Sequence, residues 1–77
     1  MRFMQINVKL FANFRSGRFT SETRDYPAGT TVVDIVRSLQ IPESEIGIIM
    51  VDNKHGEAQD QLREGANLSL FPLVGGG

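Results

Sequence analysis

The run Gly75-Gly76-Gly77 follows directly on Leu68-Ser69-Leu70-Phe71-Pro72, a strand-like stretch, and makes the terminal carboxylate itself the candidate reacting group. Glycine has no Cβ, so a glycine run takes backbone conformations closed to other residues and threads a channel too narrow for side chains. A chain whose last carboxylate must enter another enzyme's active site needs that property. Three glycines taken alone fit a frayed end equally well, and what precedes them decides between the two readings. Other chemistry is sparse. The sequence has no cysteine, which removes disulfides, thiolate metal ligands, cysteine-held iron–sulfur clusters and cysteine nucleophiles together. His55, the single histidine, lies in Asp52-Asn53-Lys54-His55-Gly56-Glu57, a polar turn with no positioned partner for acid–base work. Glu43, Glu45, Glu57, Asp60 and Glu64 lack the paired spacing that two-carboxylate catalysis requires and read as solvated charge. No metal-ligating set is expected.

The elements that must carry the tail follow from periodicity. Met4, Ile6, Val8 and Leu10 alternate with Gln5, Asn7 and Lys9, so a strand with one face toward a core is expected over about 3–11. Ser16-Gly17 supplies a turn, and the polar, threonine-containing stretch Phe19 to Tyr26 reads as a second strand hairpinned to the first, its Glu22, Arg24 and Asp25 suiting a sheet edge. Pro27-Ala28-Gly29 breaks the pattern. A helix over about 31–39 follows, with Val32, Ile35, Val36 and Leu39 forming one apolar stripe and Thr31 with Asp34 forming a capping box. Pro42 ends the helical region. Ile46-Gly47-Ile48-Ile49-Met50-Val51 is apolar at nearly every position, which predicts a central strand. After a turn at 52–56 and an irregular crossing at 58–62, Glu64-Gly65 turns the chain into a last strand over about 67–72. The order strand, strand, helix, strand, strand, with one helix across a mixed sheet, predicts an α+β domain: a β-grasp, ubiquitin-like fold of four to five strands in which the first and last strands run parallel side by side. Its expected extent is 1–72, with 73–77 as a flexible C-terminal tail.

Composition sets the outer limits. A chain of 77 residues makes one small domain, and 40% hydrophobic residues suit a globular rather than a disordered chain. With 22% charged residues and a net charge of −1 there is no basic patch for nucleic acid. No apolar run approaches the ~18 residues of a spanning helix, and the N-terminus opens a strand instead of a signal peptide. A cytoplasmic protein with neither nucleic acid nor membrane as partner is expected.

Tyr26-Pro27-Ala28-Gly29-Thr30-Thr31-Val32, Asp34-Ile35, Leu39, Ile41-Pro42, Ile46-Gly47-Ile48, Leu62, Gly65 and the ending Leu70-Phe71-Pro72-Leu73-Val74-Gly75-Gly76-Gly77 together resemble the MoaD/ThiS sulfur-carrier proteins. The Ala-Gly-Thr-Thr-Val turn recurs in many β-grasp domains, plant-type ferredoxins among them, and argues for fold only; the ferredoxin reading fails for want of cysteine. The Phe-Pro-x-Val-Gly-Gly ending is the specific part. The resemblance implies that a ubiquitin-activating-type adenylyltransferase uses ATP to adenylate Gly77. A sulfur donor then displaces AMP, and the resulting thiocarboxylate serves a sulfur-accepting synthase subunit in molybdopterin or thiamine biosynthesis. The chain would bind no cofactor itself and would act as carrier and co-substrate, not as catalyst. A ubiquitin-like modifier that joins Gly77 to target lysines by isopeptide bonds is the alternative, since the same activation serves both. The family pattern has two terminal glycines and this chain three: either the third is a tolerated variant, which displaces the carboxylate by about one residue, roughly 3.3 Å, or processing removes it, and the first is favoured because Gly75 sits where members commonly carry a small residue.

In that reading Gly77 and Gly76 carry the chemistry, and Gly75 belongs to the slim leash. From Pro72 to Gly77 the extended chain reaches roughly 20 Å. Pro72, with fixed φ and no N–H, ends the strand and aims the tail. Alternation places Leu68 and Leu70 on one face of the last strand and Ser69 and Phe71 on the other. A docking patch of Phe11 and Phe71, with one or two residues of Ile48 to Val51, continuing into Pro72, Leu73 and Val74, is expected on the face without the helix.

Overall fold

Strict alternation along Phe3–Leu10 produces β1, in which Met4, Ile6, Val8 and Leu10 are buried while Phe3, Gln5 and Lys9 point the other way. The structure, a computed structural model, describes residues 2–73. The chain leaves β1 through a 3-10 turn, Ala12–Arg15, that drives Phe14 into the core at 2% exposure. Ala12 enters this turn with φ 54°, a left-handed conformation for which an alanine gives no sequence signal. β2 then runs from Ser21 to Pro27, antiparallel to β1 with Phe3 opposite Pro27 and Lys9 opposite Ser21.

The helix α1, Val32–Ser38, starts where the sequence places it. The Asp34 N–H donates to Thr31 Oγ1 at 3.3 Å, and the Thr31 N–H donates to Asp34 Oδ2 at 3.0 Å, so two otherwise orphaned donors are satisfied reciprocally. The bond from the Thr31 backbone, reinforced by its hydroxyl, favours the ionised carboxyl and holds Asp34 below the usual carboxylate range. Val32, Ile35, Val36 and Leu39 are buried against the sheet. At the other end, Arg18 donates through Nε to the Leu39 carbonyl at 3.0 Å, through Nη2 to that of Gln40 at 3.1 Å, and through Nη1 to that of Phe14 at 3.2 Å. One guanidinium thus satisfies carbonyls of the helix end and of the turn after β1.

β3 (Ile46–Val51) and β4 (Lys54–His55) form a hairpin closed by Asp52 and Asn53, whose φ values of 51° and 67° suit a two-residue turn of the type I′ kind. β5, Asn67–Pro72, completes a five-stranded sheet in the order β2-β1-β5-β3-β4. β1 and β5 are parallel, with Val8 opposite Leu68 and Leu10 opposite Leu70, and the remaining pairs are antiparallel. This is the β-grasp arrangement that the element order predicts. β3 is an interior strand, as its apolar run predicts: β5 is the middle of the sheet, β1 and β3 flank it, and beyond β3 lie only the two residues of β4. The continuous apolar pattern of β3 arises because Ile49 and Val51 pack on the core while Ile48 lies 42% exposed on the opposite face. Among the described residues no helix is long and apolar enough to cross a membrane.

Candidate functional site

β5 carries the chain from the core to its last residues, and alternation gives it two different faces. Leu68 and Leu70 are fully buried beneath α1, while Ser69 and Phe71 look out on the uncovered side. The Phe11 N–H donates to the Leu70 carbonyl at 3.2 Å, which extends the parallel ladder one step past β1 and sets Phe11 beside Phe71. The two rings stack with centroids 4.1 Å apart and planes 13° from parallel. The guanidinium of Arg15 lies 5.5 Å from the centre of the Phe11 ring, and its Nε donates to the Leu10 carbonyl at 2.9 Å. The result is an ordered Arg15–Phe11–Phe71 ladder, with both rings half-buried by each other.

Ile48 stands opposite Phe71 across the β3–β5 pair, and Met50 stands opposite Ser69, so β3 contributes its outward residues to the same face. The large apolar side chains left exposed among the described residues are Phe3 at 61%, Ile48 at 42% and Leu73 at 63%. Ile48 is paired opposite Phe71, and Leu73 follows Phe71 by two residues. Phe3 is eight residues from Phe11 along an extended strand, roughly 26 Å at 3.3 Å per residue. Between them a polar row crosses the sheet: Thr23 Oγ1 donates to Asn7 Oδ1 at 2.6 Å, and Asn7 Nδ2 donates to Asn67 Oδ1 at 3.1 Å. The open face is therefore polar in the middle and apolar at the end where the chain leaves β5.

Of the residues expected at the site, Phe11, Phe71, Pro72 and Leu73 come together at this end of the sheet. Pro72 is paired opposite Ile46, and the Leu73 N–H donates to the Glu45 carbonyl at 2.9 Å. Val74, Gly75, Gly76 and Gly77 lie outside the described residues. Arg15 was missed by sequence reasoning, and its only signal is a basic residue four positions after Phe11.

The remaining titratable groups do not assemble a reaction centre among the described residues. His55 is exposed on β4 and lines, with Glu43 and Glu57, a groove of about 450 Å³ between α1 and β3. No hydrogen bond joins any two of the three, and Glu43 is taken by Arg37 at 2.9 Å, which raises the Arg37 pKa. No group of three or more His, Asp or Glu residues is placed to hold a metal ion among the described residues.

Comparison with known proteins adds to this geometry. The model of the ThiS family matches residues 8–77. No curated protein matches the chain by sequence. Among solved structures, a Pyrococcus furiosus protein named provisionally as molybdopterin converting factor, subunit 1, is 25% identical with a TM-score of 0.73, covering 92% of this chain and 99% of that one. The Haloferax volcanii HVO 2177 protein is 24% identical with a TM-score of 0.79, over 97% of this chain and 88% of its own. Small archaeal modifier protein 1 from Methanosarcina acetivorans is 21% identical with a TM-score of 0.72, over the full length of both. The last two likenesses concern the fold alone.

Proposed function

This chain belongs to the ThiS family, and on that premise we propose that it is a sulfur carrier whose Gly77 carboxylate is adenylated and then converted to a thiocarboxylate. The observation that carries the reading is the family match itself, which runs through the glycine run to residue 77. The apolar end of the open face supports it, because a carrier must be gripped beside the point where its tail departs.

The chemistry explains why activation is required. A carboxylate is ionised at pH 7, its intrinsic pKa being about 3.3–3.7, and is a poor electrophile. Attack of a Gly77 carboxylate oxygen on the α-phosphorus of ATP forms the acyl adenylate and releases pyrophosphate. Hydrosulfide-level sulfur released by a donor then adds to the acyl carbon, and collapse of the tetrahedral adduct breaks the acyl–phosphate C–O bond and expels AMP. The thiocarboxylate sulfur that results is a softer and better nucleophile than the oxygen it replaces. ATP belongs to the activating partner, and this chain supplies the docking face, the leash and the reacting carboxyl. The likeness to the Pyrococcus protein supports a molybdopterin-type acceptor over a thiamine-type one.

Intact-mass measurement of the chain purified from its own cells tests the reading. The carrier reading expects a species heavier by the exchange of one oxygen for sulfur, lost on treatment with an alkylating agent and mild hydrolysis. High-mass conjugates linked through Gly77 to lysines, with no thiocarboxylate, would replace it with the modifier reading.

A further inference from the structure

We infer that Gly47 is a positioning residue for the tail, fixing where and in which direction the chain leaves the sheet; the inference rests on the carrier reading for its consequence, not for its geometry. Gly47 is not required by its backbone conformation, since the left-handed glycines among the described residues are Gly17, Gly29 and Gly65. Space requires it. A Cβ built on Gly47 would lie 2.6 Å from the Pro72 carbonyl oxygen, 2.9 Å from the Pro72 carbonyl carbon and 3.0 Å from the Leu73 Cα. All three are backbone atoms, which cannot swing aside as the end of a side chain would.

The close approach occurs at an irregularity in the ladder, where the register between β3 and β5 shifts from Ile46 opposite Pro72 to Ile48 opposite Phe71. The shift lets the Pro72–Leu73 backbone settle against Gly47. Pro72 has no N–H to offer the ladder. The Leu73 N–H is the last described backbone donor of the chain, and it reaches the carbonyl of Glu45, in the turn just before β3, at 2.9 Å. A methyl at position 47 must push Pro72 and Leu73 outward and break that bond. The tail would then start from a displaced and looser point, although neither ring of the Phe11–Phe71 stack supplies any of the three nearest atoms that the added methyl would meet.

A partner that holds the open face while drawing the tail into a channel needs the two at a fixed separation, and a misplacement of about 1 Å can cost on the order of 100-fold in rate. Gly47 would therefore act on turnover and not on docking. The test is Gly47→Ala in the full-length chain, read by amide hydrogen exchange at Leu73 and by ATP–pyrophosphate exchange with the adenylylating enzyme. Exchange at Leu73 should quicken by at least about tenfold relative to Leu68 and Leu70 as its bond is lost. In the enzyme assay kcat should fall by roughly 10–100-fold while KM for the carrier stays within about twofold. Glu45→Ala keeps the backbone carbonyl and should behave as the parent does in both readouts.

If Gly47→Ala does not fold, replacing the Leu73 amide by an ester in a synthetic chain removes the same donor with Gly47 in place, and the same kcat loss is expected. Unchanged Leu73 exchange in Gly47→Ala, or a loss confined to KM, overturns the inference. A parent chain that no adenylylating enzyme accepts would defeat the carrier reading instead, and Leu73 exchange would still decide the positional role of Gly47.

Discussion

Leu70 and Phe71 are adjacent in sequence and belong to opposite worlds. Leu70 joins Met4, Ile6, Val8, Leu10 and Leu68 on the face covered by α1, where every one of these side chains is 5% exposed or less. Phe71 joins Phe11 and Ile48 on the face that no described element covers, with the exposed Leu73 two residues further on. The covered face is mostly aliphatic and close-packed, with Phe14 and Tyr26 as its aromatic members. The open face is divided by the Thr23–Asn7–Asn67 row, with its aromatic and apolar residues gathered at the end from which the tail leaves. The same strands therefore serve two ends: one face makes the fold, and the other makes a surface whose apolar part is placed by the tail.

The largest effect is expected at Leu70. Leu70→Ala should destabilise the protein by about 2–5 kcal/mol, as large-to-small changes in a packed core do, and should weaken any partner only through unfolding. Urea titration of the variant beside a binding assay at low temperature separates the two effects. Phe71→Ala should do the reverse. We expect about 1 kcal/mol of lost stability, chiefly its stack on Phe11, and about 2 kcal/mol or more of lost partner affinity if it is a docking anchor. Should Phe71→Ala melt as badly as Leu70→Ala, the two faces would not be functionally distinct.

The aromatic ladder sharpens the picture further. A double-mutant cycle of Phe11→Leu and Phe71→Leu, followed by chemical denaturation, should return a coupling of about 0.5–1.5 kcal/mol, the range for stacked rings. Zero coupling would mean that the rings merely lie side by side.

Two changes at the helix start serve as controls for both faces. Thr31→Ala should cost about 1 kcal/mol through loss of the cap and leave partner affinity unchanged. Asp34→Asn should show a small, pH-dependent loss. The folded Asp34 carboxyl titrates lower than in the unfolded chain, so its stabilisation is complete above the unfolded pKa and fades as pH falls through the folded one. Melting temperatures of parent and Asp34→Asn should therefore converge as the solution is acidified below the ordinary carboxylate range.

Much of this architecture was readable from residue order. The alternation in β1 and β5 and the capping box at Thr31 and Asp34 follow from local pattern, the parallel pairing of the first and last strands follows from the element order, and the structure agrees. The turn at Ala12–Arg15 was not readable, because its left-handed entry residue is an alanine and its gain is the burial of Phe14 by distant strands. The three-carbonyl grip of Arg18 was likewise hidden, since Leu39 and Gln40 lie more than twenty positions away. β3 lies inside the sheet as its apolar run implies, but an apolar outer face normally means burial, and here it leaves Ile48 exposed. At the site, the opposed faces of Leu70 and Phe71 were legible from period two, whereas Arg15 over Phe11 and the contact of Gly47 with Pro72 depend on register and on a ladder irregularity.

The most direct test of the central claim is ATP–pyrophosphate exchange with the adenylylating enzyme, run on the parent chain and on a synthetic chain whose Gly77 ends in a carboxamide. The amide removes the group to be activated and leaves both faces of the sheet intact. A sulfur carrier should give exchange with the parent, none with the amide, and inhibition of the parent's reaction by the amide because it still docks through the Phe11–Phe71 face. Equal exchange from the two chains would contradict the carrier reading.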